Sequence, residues 1–142
     1  MSLLNYTTGI SVNKTLAEIT NELVTHGATA VMTEYDDQGY IIALNFKVLV
    51  NGQSVAFRLP SDWRPVLKIL ESDKKVAKGR KTQDQALRVA WRIILAWVKA
   101  QMAIIETNMV TTDQVFLPYA ITNNGKTVYE EVQNKRLLLG GS

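Results

Sequence analysis

Side chains able to do chemistry are few in this sequence, and most of them are basic. Eleven of the sixteen basic residues lie between Arg58 and Lys99: Arg58, Arg64, Lys68, Lys74, Lys75, Lys78, Arg80, Lys81, Arg88, Arg92 and Lys99. Four acids, Asp62, Glu71, Asp73 and Asp84, oppose them, so the segment carries +7 and the rest of the chain −4. A layout of this kind steers a polyanion to one region and repels it from the other. Lys74, Lys75, Lys78, Arg80 and Lys81 share the nine-residue run DKKVAKGRK, which has no apolar period and reads as a mobile loop. Arg88 and Arg92 follow one helical turn apart, and Lys99 extends their row. Loop cations beside a helical row can neutralise consecutive phosphates, which gives affinity for nucleic acid without reading its sequence. The competing reading of the same charges is a solvated surface.

Single-strand binders add aromatic platforms on which bases stack. Trp63 and Tyr35 are the candidates here, because Trp91 and Trp97 fit a core and Tyr40 lies on the core side of its strand. The expected interface is therefore Arg58, Lys74, Lys75, Lys78, Arg80, Lys81, Arg88, Arg92 and Lys99, with Trp63 as the aromatic surface.

Catalysis is poorly provided for. A nucleophilic triad needs a base that titrates near neutrality, usually histidine, and the one histidine, His26, sits where a helix ends. A cation at that place is favoured by the helix dipole. Glu34, Asp36 and Asp37 offer oxygen ligands for Mg²⁺ or Ca²⁺, but aspartate at a hairpin tip more simply supports the turn. Gly79-Arg80-Lys81-Thr82 lacks the upstream glycine and the feeding strand of a phosphate loop. The absence of cysteine removes disulfides, thiolate nucleophiles and Cys-based metal sites. These readings assign no catalytic residue, no metal and no cofactor, and they point away from an enzyme.

The length, 142 residues with 46% hydrophobic and 20% charged, fits a single domain with a sizeable core. None of the first ten residues is basic, so no secretory leader is expected. The greasiest stretch, 93–105, is broken by Lys99 and Gln101 and is shorter than the roughly 20 residues that span a bilayer. A cytoplasmic protein without a membrane partner is the expectation.

The elements that must position the basic residues form an α+β fold. It consists of an N-terminal helix, a three-stranded antiparallel sheet, then a long central helix with short C-terminal helices. Four Thr-x-x-Glu/Gln patterns, Thr15…Glu18, Thr82…Gln85, Thr111…Gln114 and Thr127…Glu130, are capping-box candidates. The first helix spans about 12–26, burying Leu16, Ile19 and Leu23, with Gly27 ending it. Strands follow at 28–35, 40–50 and 53–60. Asn51-Gly52 predicts a type I′ hairpin whose register sets Val48 opposite Val55, Phe46 opposite Phe57 and Leu44 opposite Leu59. On the other face it sets Lys47 beside Ala56 and Asn45 beside Arg58. Ser61 is read as the cap of a short helix to about Ser72, with Pro65 in its first turn.

The long helix runs from Gln83 to about Asn108. Leu87, Ala90, Trp91, Ile94, Val98, Met102 and Ile105 form one apolar stripe, and Val89, Ile93, Trp97 and Ile104 form a second beside it. Arg88, Arg92, Lys99 and Glu106 occupy the remaining strip. A helix apolar on two faces is central or partly covered by another subunit, so a homo-oligomer through this helix is expected. Short helices near 112–117 and 127–136 close the fold, and 140–142 reads as a frayed tail. The order helix, three antiparallel strands, helix is shared with the double-stranded-RNA-binding fold. An extra short helix and an unusually apolar long helix separate the two.

Phe57-Arg-Leu-Pro60, Ala90-Trp-Arg92, Trp97 with Ala100-Gln101, and Phe116-Leu-Pro-Tyr119 resemble motifs of a family of small proteins encoded by phages and prophages, over about 13–135. The resemblance implies no particular activity. Because such proteins sit among replication and recombination genes, it implies a DNA role. The function expected is thus an accessory protein that binds nucleic acid, single-stranded DNA foremost. The alternative is a non-enzymatic, oligomeric protein that engages or modulates a host protein.

Overall fold

The computed structural model describes residues 2–135. The protein is α+β, with its elements in the order helix, three strands, then helices. Its contacts gather into two compact units. A helical unit comprises the residues up to Leu23 and Ser61–Met102, and a sheet unit comprises Val24–Pro60 and the residues from Ala103 onward. Counted from the sequence, the helical unit has eleven basic and six acidic residues, and the sheet unit five and seven. Most of the positive charge therefore belongs to one unit.

In the helical unit, α1 (Val12–Thr25) buries Thr15, Leu16, Ile19 and Leu23, which recur at helical spacing. The expected capping pair Thr15…Glu18 is not a cap, because the helix begins earlier. Ser11 Oγ accepts from the Lys14 amide at 3.2 Å, and Thr15 and Glu18 lie inside the helix. At spacing i, i+3 they share one face. Helix α2 (Trp63–Ser72) is capped by Asp62, not by Ser61. Asp62 Oδ1 accepts from the Arg64 amide at 3.0 Å, and the Arg64 guanidinium closes on the same carboxylate at 2.9 and 3.0 Å. Because the helix begins at Trp63, Asp62 rather than Ser61 stands at its N-cap. The guanidinium contact is also the leading reason that the Asp62 carboxyl titrates below its ordinary range. Ser61 Oγ is buried and makes no hydrogen bond among the described residues.

The long helix α3 (Gln83–Glu106) ends two residues before the expected Asn108, which adopts a left-handed φ of 64°. Asparagine tolerates that conformation better than most residues. The helix buries Ala86, Leu87, Val89, Ala90, Trp91, Leu95, Val98 and Met102. No large apolar side chain of α3 is exposed, and Ile93, Ile94, Trp97, Ile104 and Ile105 are half-buried. The chain itself covers much of both apolar faces, so the helix does not by its own exposure call for a second subunit.

In the sheet unit, β1 (Ala28–Tyr35), β2 (Ile41–Val50) and β3 (Gln53–Pro60) form an antiparallel sheet in the order β1-β2-β3. Asn51 and Gly52, with φ of 51° and 80°, make the tight turn between β2 and β3. The register is the expected one, with Val48 against Val55, Phe46 against Phe57, Leu44 against Leu59, Lys47 against Ala56 and Asn45 against Arg58. Phe46 and Phe57 stack at 5.2 Å between ring centroids, and Phe116 meets them edge-on at 5.4 and 6.0 Å. Phe116 comes from α4 (Thr112–Phe116), whose Thr111–Gln114 capping box is complete. Ile121 donates its amide to the Ala56 carbonyl at 2.8 Å, which covers part of the outer edge of β3. Helix α5 (Val128–Lys135) opens on a second complete box, Thr127 with Glu130. The expected helical position of Arg136 and the tail at 140–142 lie outside the described residues. Among the described residues, no helix is long and apolar enough to cross a membrane.

Candidate nucleic-acid interface

The basic run begins where α2 stops. Asp73 closes the helix, its amide donating to the Leu70 carbonyl at 3.4 Å. Its carboxylate accepts from the Lys75 amide at 2.9 Å and from Ser2 Oγ at 2.8 Å. These bonds, the Lys75 amide first, favour the ionised form and hold the Asp73 carboxyl below its ordinary range. The Val76 amide then donates to the Asp73 carbonyl at 3.1 Å, and the Val76 side chain is buried with Leu70 and Ala86. Tyr6, Trp63, Val66 and Leu67 pack around that cluster. A short 3-10 helix, Lys78–Arg80, follows, and Lys81 Nζ donates to the Glu71 carbonyl at 3.3 Å.

The mobile loop expected from the sequence is therefore an anchored turn. A search for periodicity passes over it because one buried valine in nine residues makes no period. Burial of that valine stabilises the turn by about 2 kcal/mol, on the scale of a fully buried valine side chain.

With Val76 inward, the cations point outward. Lys74, Lys75, Lys78 and Arg80 are exposed, and their side chains make no hydrogen bond or ion pair among the described residues. Lys81 is half-buried at the end of the turn. Trp63 is half-buried beneath the turn, in the apolar cluster, which makes it a support for the cations rather than an open stacking platform.

The remaining candidates are placed elsewhere. Arg88 Nε donates to Gln85 Oε1 at 3.0 Å. Gln85, which is buried, in turn donates from Nε2 to the carbonyls of Tyr6 and Thr8, both at 2.9 Å. Thr82 still accepts the Gln85 amide at 3.2 Å, so this expected capping box is half made, its glutamine being drawn to the N-terminal segment. Arg92 Nη1 binds the Glu18 carboxylate and lies 3.4 Å from Thr15 Oγ1, and the Arg92 side chain is only 18% exposed. The helical row is thus committed internally at two of its three members. Lys99, the third, is exposed but lies about 24 Å along α3 from Gln83 at 1.5 Å per residue.

Arg58 belongs to the sheet unit. Its Nε and Nη2 meet Glu34 Oε1 and Oε2 at 3.0 and 3.2 Å, and Asn45 Nδ2 donates to Glu34 Oε1 at 2.7 Å. The two-point guanidinium contact, followed by the Asn45 bond, holds the Glu34 carboxyl below its ordinary range. The remaining hairpin acid of interest, Asp36, accepts the amides of Gln38 and Tyr40 at 2.9 Å each, which is turn support. His26 Nε2 lies 2.6 Å from Glu106 Oε1, joining the residue after α1 to the end of α3.

Sequence reasoning missed three supports of this region. Val76 had only its isolation among polar neighbours to mark it. Glu18 stands at capping-box spacing from Thr15, which hides its pairing with Arg92. Gln85 carried the capping-box pattern but spends its side chain on contacts more than seventy residues away, which no local pattern shows. Compared with protein families, with curated proteins and with solved structures, the chain matches none.

Proposed function

We propose that the protein is an accessory factor that binds nucleic acid by its phosphate backbone, with Lys74, Lys75, Lys78 and Arg80 as the principal contacts. The observation that carries this reading is the turn itself, which presents four exposed cations without ion pairs among the described residues while Val76 and Asp73 fix its backbone. Cations already held close together lose less freedom on meeting phosphates than cations on a floppy loop. Lys81, at the end of the turn, adds to the positive surface. Arg58, Arg88 and Arg92 fall outside the contact set, because each is engaged by its own unit.

Contacts of this kind neutralise charge and read no base edges, so affinity tracks backbone density rather than sequence. Single-stranded DNA is the substrate the reading favours. Its flexible backbone can follow a short turn without the fixed phosphate spacing of a duplex.

The test is a comparison of variants by fluorescence anisotropy with a labelled oligonucleotide. Lys78→Ala/Arg80→Ala should weaken binding at low salt about tenfold, at roughly 0.7 kcal/mol per lost phosphate contact. Arg58→Ala in the sheet unit should bind like the parent. Equal losses for the two variants would contradict the assignment.

A further inference from the structure

We infer that the N-terminal segment, residues 2–8, is a strap that positions the basic turn, with Tyr6 as its contact and Gln85 as its fastener. The inference rests on the reading of that turn as the phosphate-binding surface and adds what sets its rigidity. The segment forms no helix or strand. Two tight turns shape it instead. The Tyr6 amide donates to the Leu3 carbonyl at 3.2 Å and the Thr8 amide to the Asn5 carbonyl at 3.0 Å, with Asn5 at a left-handed φ of 63°. The strap meets the supports of the basic turn in two places. Ser2 Oγ donates to Asp73 Oδ2 at 2.8 Å, on the carboxylate whose Oδ1 accepts the Lys75 amide. Tyr6 packs against the cluster of Leu70, Val76 and Ala86, so its ring helps to keep Val76 inward.

Backbone carbonyls outside helices and strands still need donors. Gln85, 3% exposed, supplies them: its Nε2 donates to the carbonyls of Tyr6 and Thr8 at 2.9 Å each. Its Oε1 accepts from Arg88 Nε at 3.0 Å, which fixes the way the amide points. The connection from α3 through the strap to the turn lies within the helical unit. A segment held by a few side-chain contacts opens locally more readily than a helix or strand. When it opens, Val76 loses part of its cover and Asp73 loses Ser2. The turn then keeps its cations but samples more shapes, and phosphate binding has to order it again. By linkage, a polyanion seated on the turn holds the strap down, although residues 2–8 carry no charged side chain.

Trypsin tests the strap without nucleic acid, because the turn supplies its own cleavage sites. Cleavage of the native protein within 74–81, mapped by mass spectrometry, should be at least about fivefold faster in Tyr6→Ala than in the parent. Cleavage after the exposed Lys126 of the sheet unit, the reference for global unfolding, should be unchanged. Tyr6→Phe, which keeps the ring, and Leu4→Ala, at a strap residue 58% exposed, should match the parent. If Tyr6→Ala fails to fold, Ser2→Ala, which removes only the bond to Asp73, takes its place with the same direction of change. Tyr6→Ala should bind a labelled single-stranded oligonucleotide about fivefold more weakly with the parent's salt slope, since the phosphate contacts keep their number. In the parent, the oligonucleotide should slow amide hydrogen exchange of residues 2–8. Turn cleavage equal in the variant and the parent, or raised equally at Lys126, would overturn the inference. A parent that binds no oligonucleotide would contradict the proposed function instead, and faster turn cleavage in Tyr6→Ala would still uphold the strap.

Discussion

Val76 is the lone branched residue in a basic run, and its burial converts that run into a fixed turn. Val76→Ala should cost about 2 kcal/mol in denaturant unfolding, from the lost methyl groups and the gap they leave. The same variant should weaken oligonucleotide binding although no charge changes. Glu34 gives a pH signature. Its carboxyl is held below the ordinary range by Arg58 and then by Asn45, so its contribution to stability is fully present above the unfolded-state value. That contribution is lost as the pH falls through the lower folded value. The parent should therefore lose stability more steeply on acidification than Glu34→Gln, by about 1 kcal/mol for a half-exposed pair of this geometry. Titration of the unfolding midpoint of both proteins through the acid range measures the difference.

At the scale of elements, legibility depended on how local the deciding interaction was. The β2–β3 hairpin was readable to the residue, because strict alternation fixes the face and Asn51-Gly52 fixes the turn. Two capping boxes, at Thr111 and Thr127, were readable for the same reason, since all their atoms lie within four residues. Thr15…Glu18 failed, because its partner, Arg92, is more than seventy residues away. Within the strip of α3 that resembles a phosphate ladder in sequence, Arg92 instead fastens α3 to α1 through Glu18. Arg92→Ala should therefore destabilise the protein by about 1–2 kcal/mol, leaving Glu18 without its partner. It should leave oligonucleotide affinity unchanged once the protein is folded, which thermal unfolding and anisotropy on one sample would separate.

At the scale of the whole molecule, the sequence shows where the positive charge lies along the chain, and the fold shows which cations are engaged. Composition and order reveal a charge excess, but not its pairing. Arg58, Arg88 and Arg92 look equivalent to Lys78 and Arg80 in one dimension, and only the fold separates engaged cations from open ones. The division into a positive helical unit and a mildly negative sheet unit was likewise hidden, because each unit is assembled from two distant segments. Nucleic acid held by the turn through about four phosphates implies a defined salt response. Plotted as log affinity against log salt, binding of single-stranded oligonucleotide to the parent should fall with a slope of about −3, near 0.7 per phosphate contact. Replacing Lys74, Lys75, Lys78 and Arg80 together by alanine should bring that slope close to zero. A parent that does not bind at low salt, or a quadruple variant that keeps the parent's slope, would contradict the account.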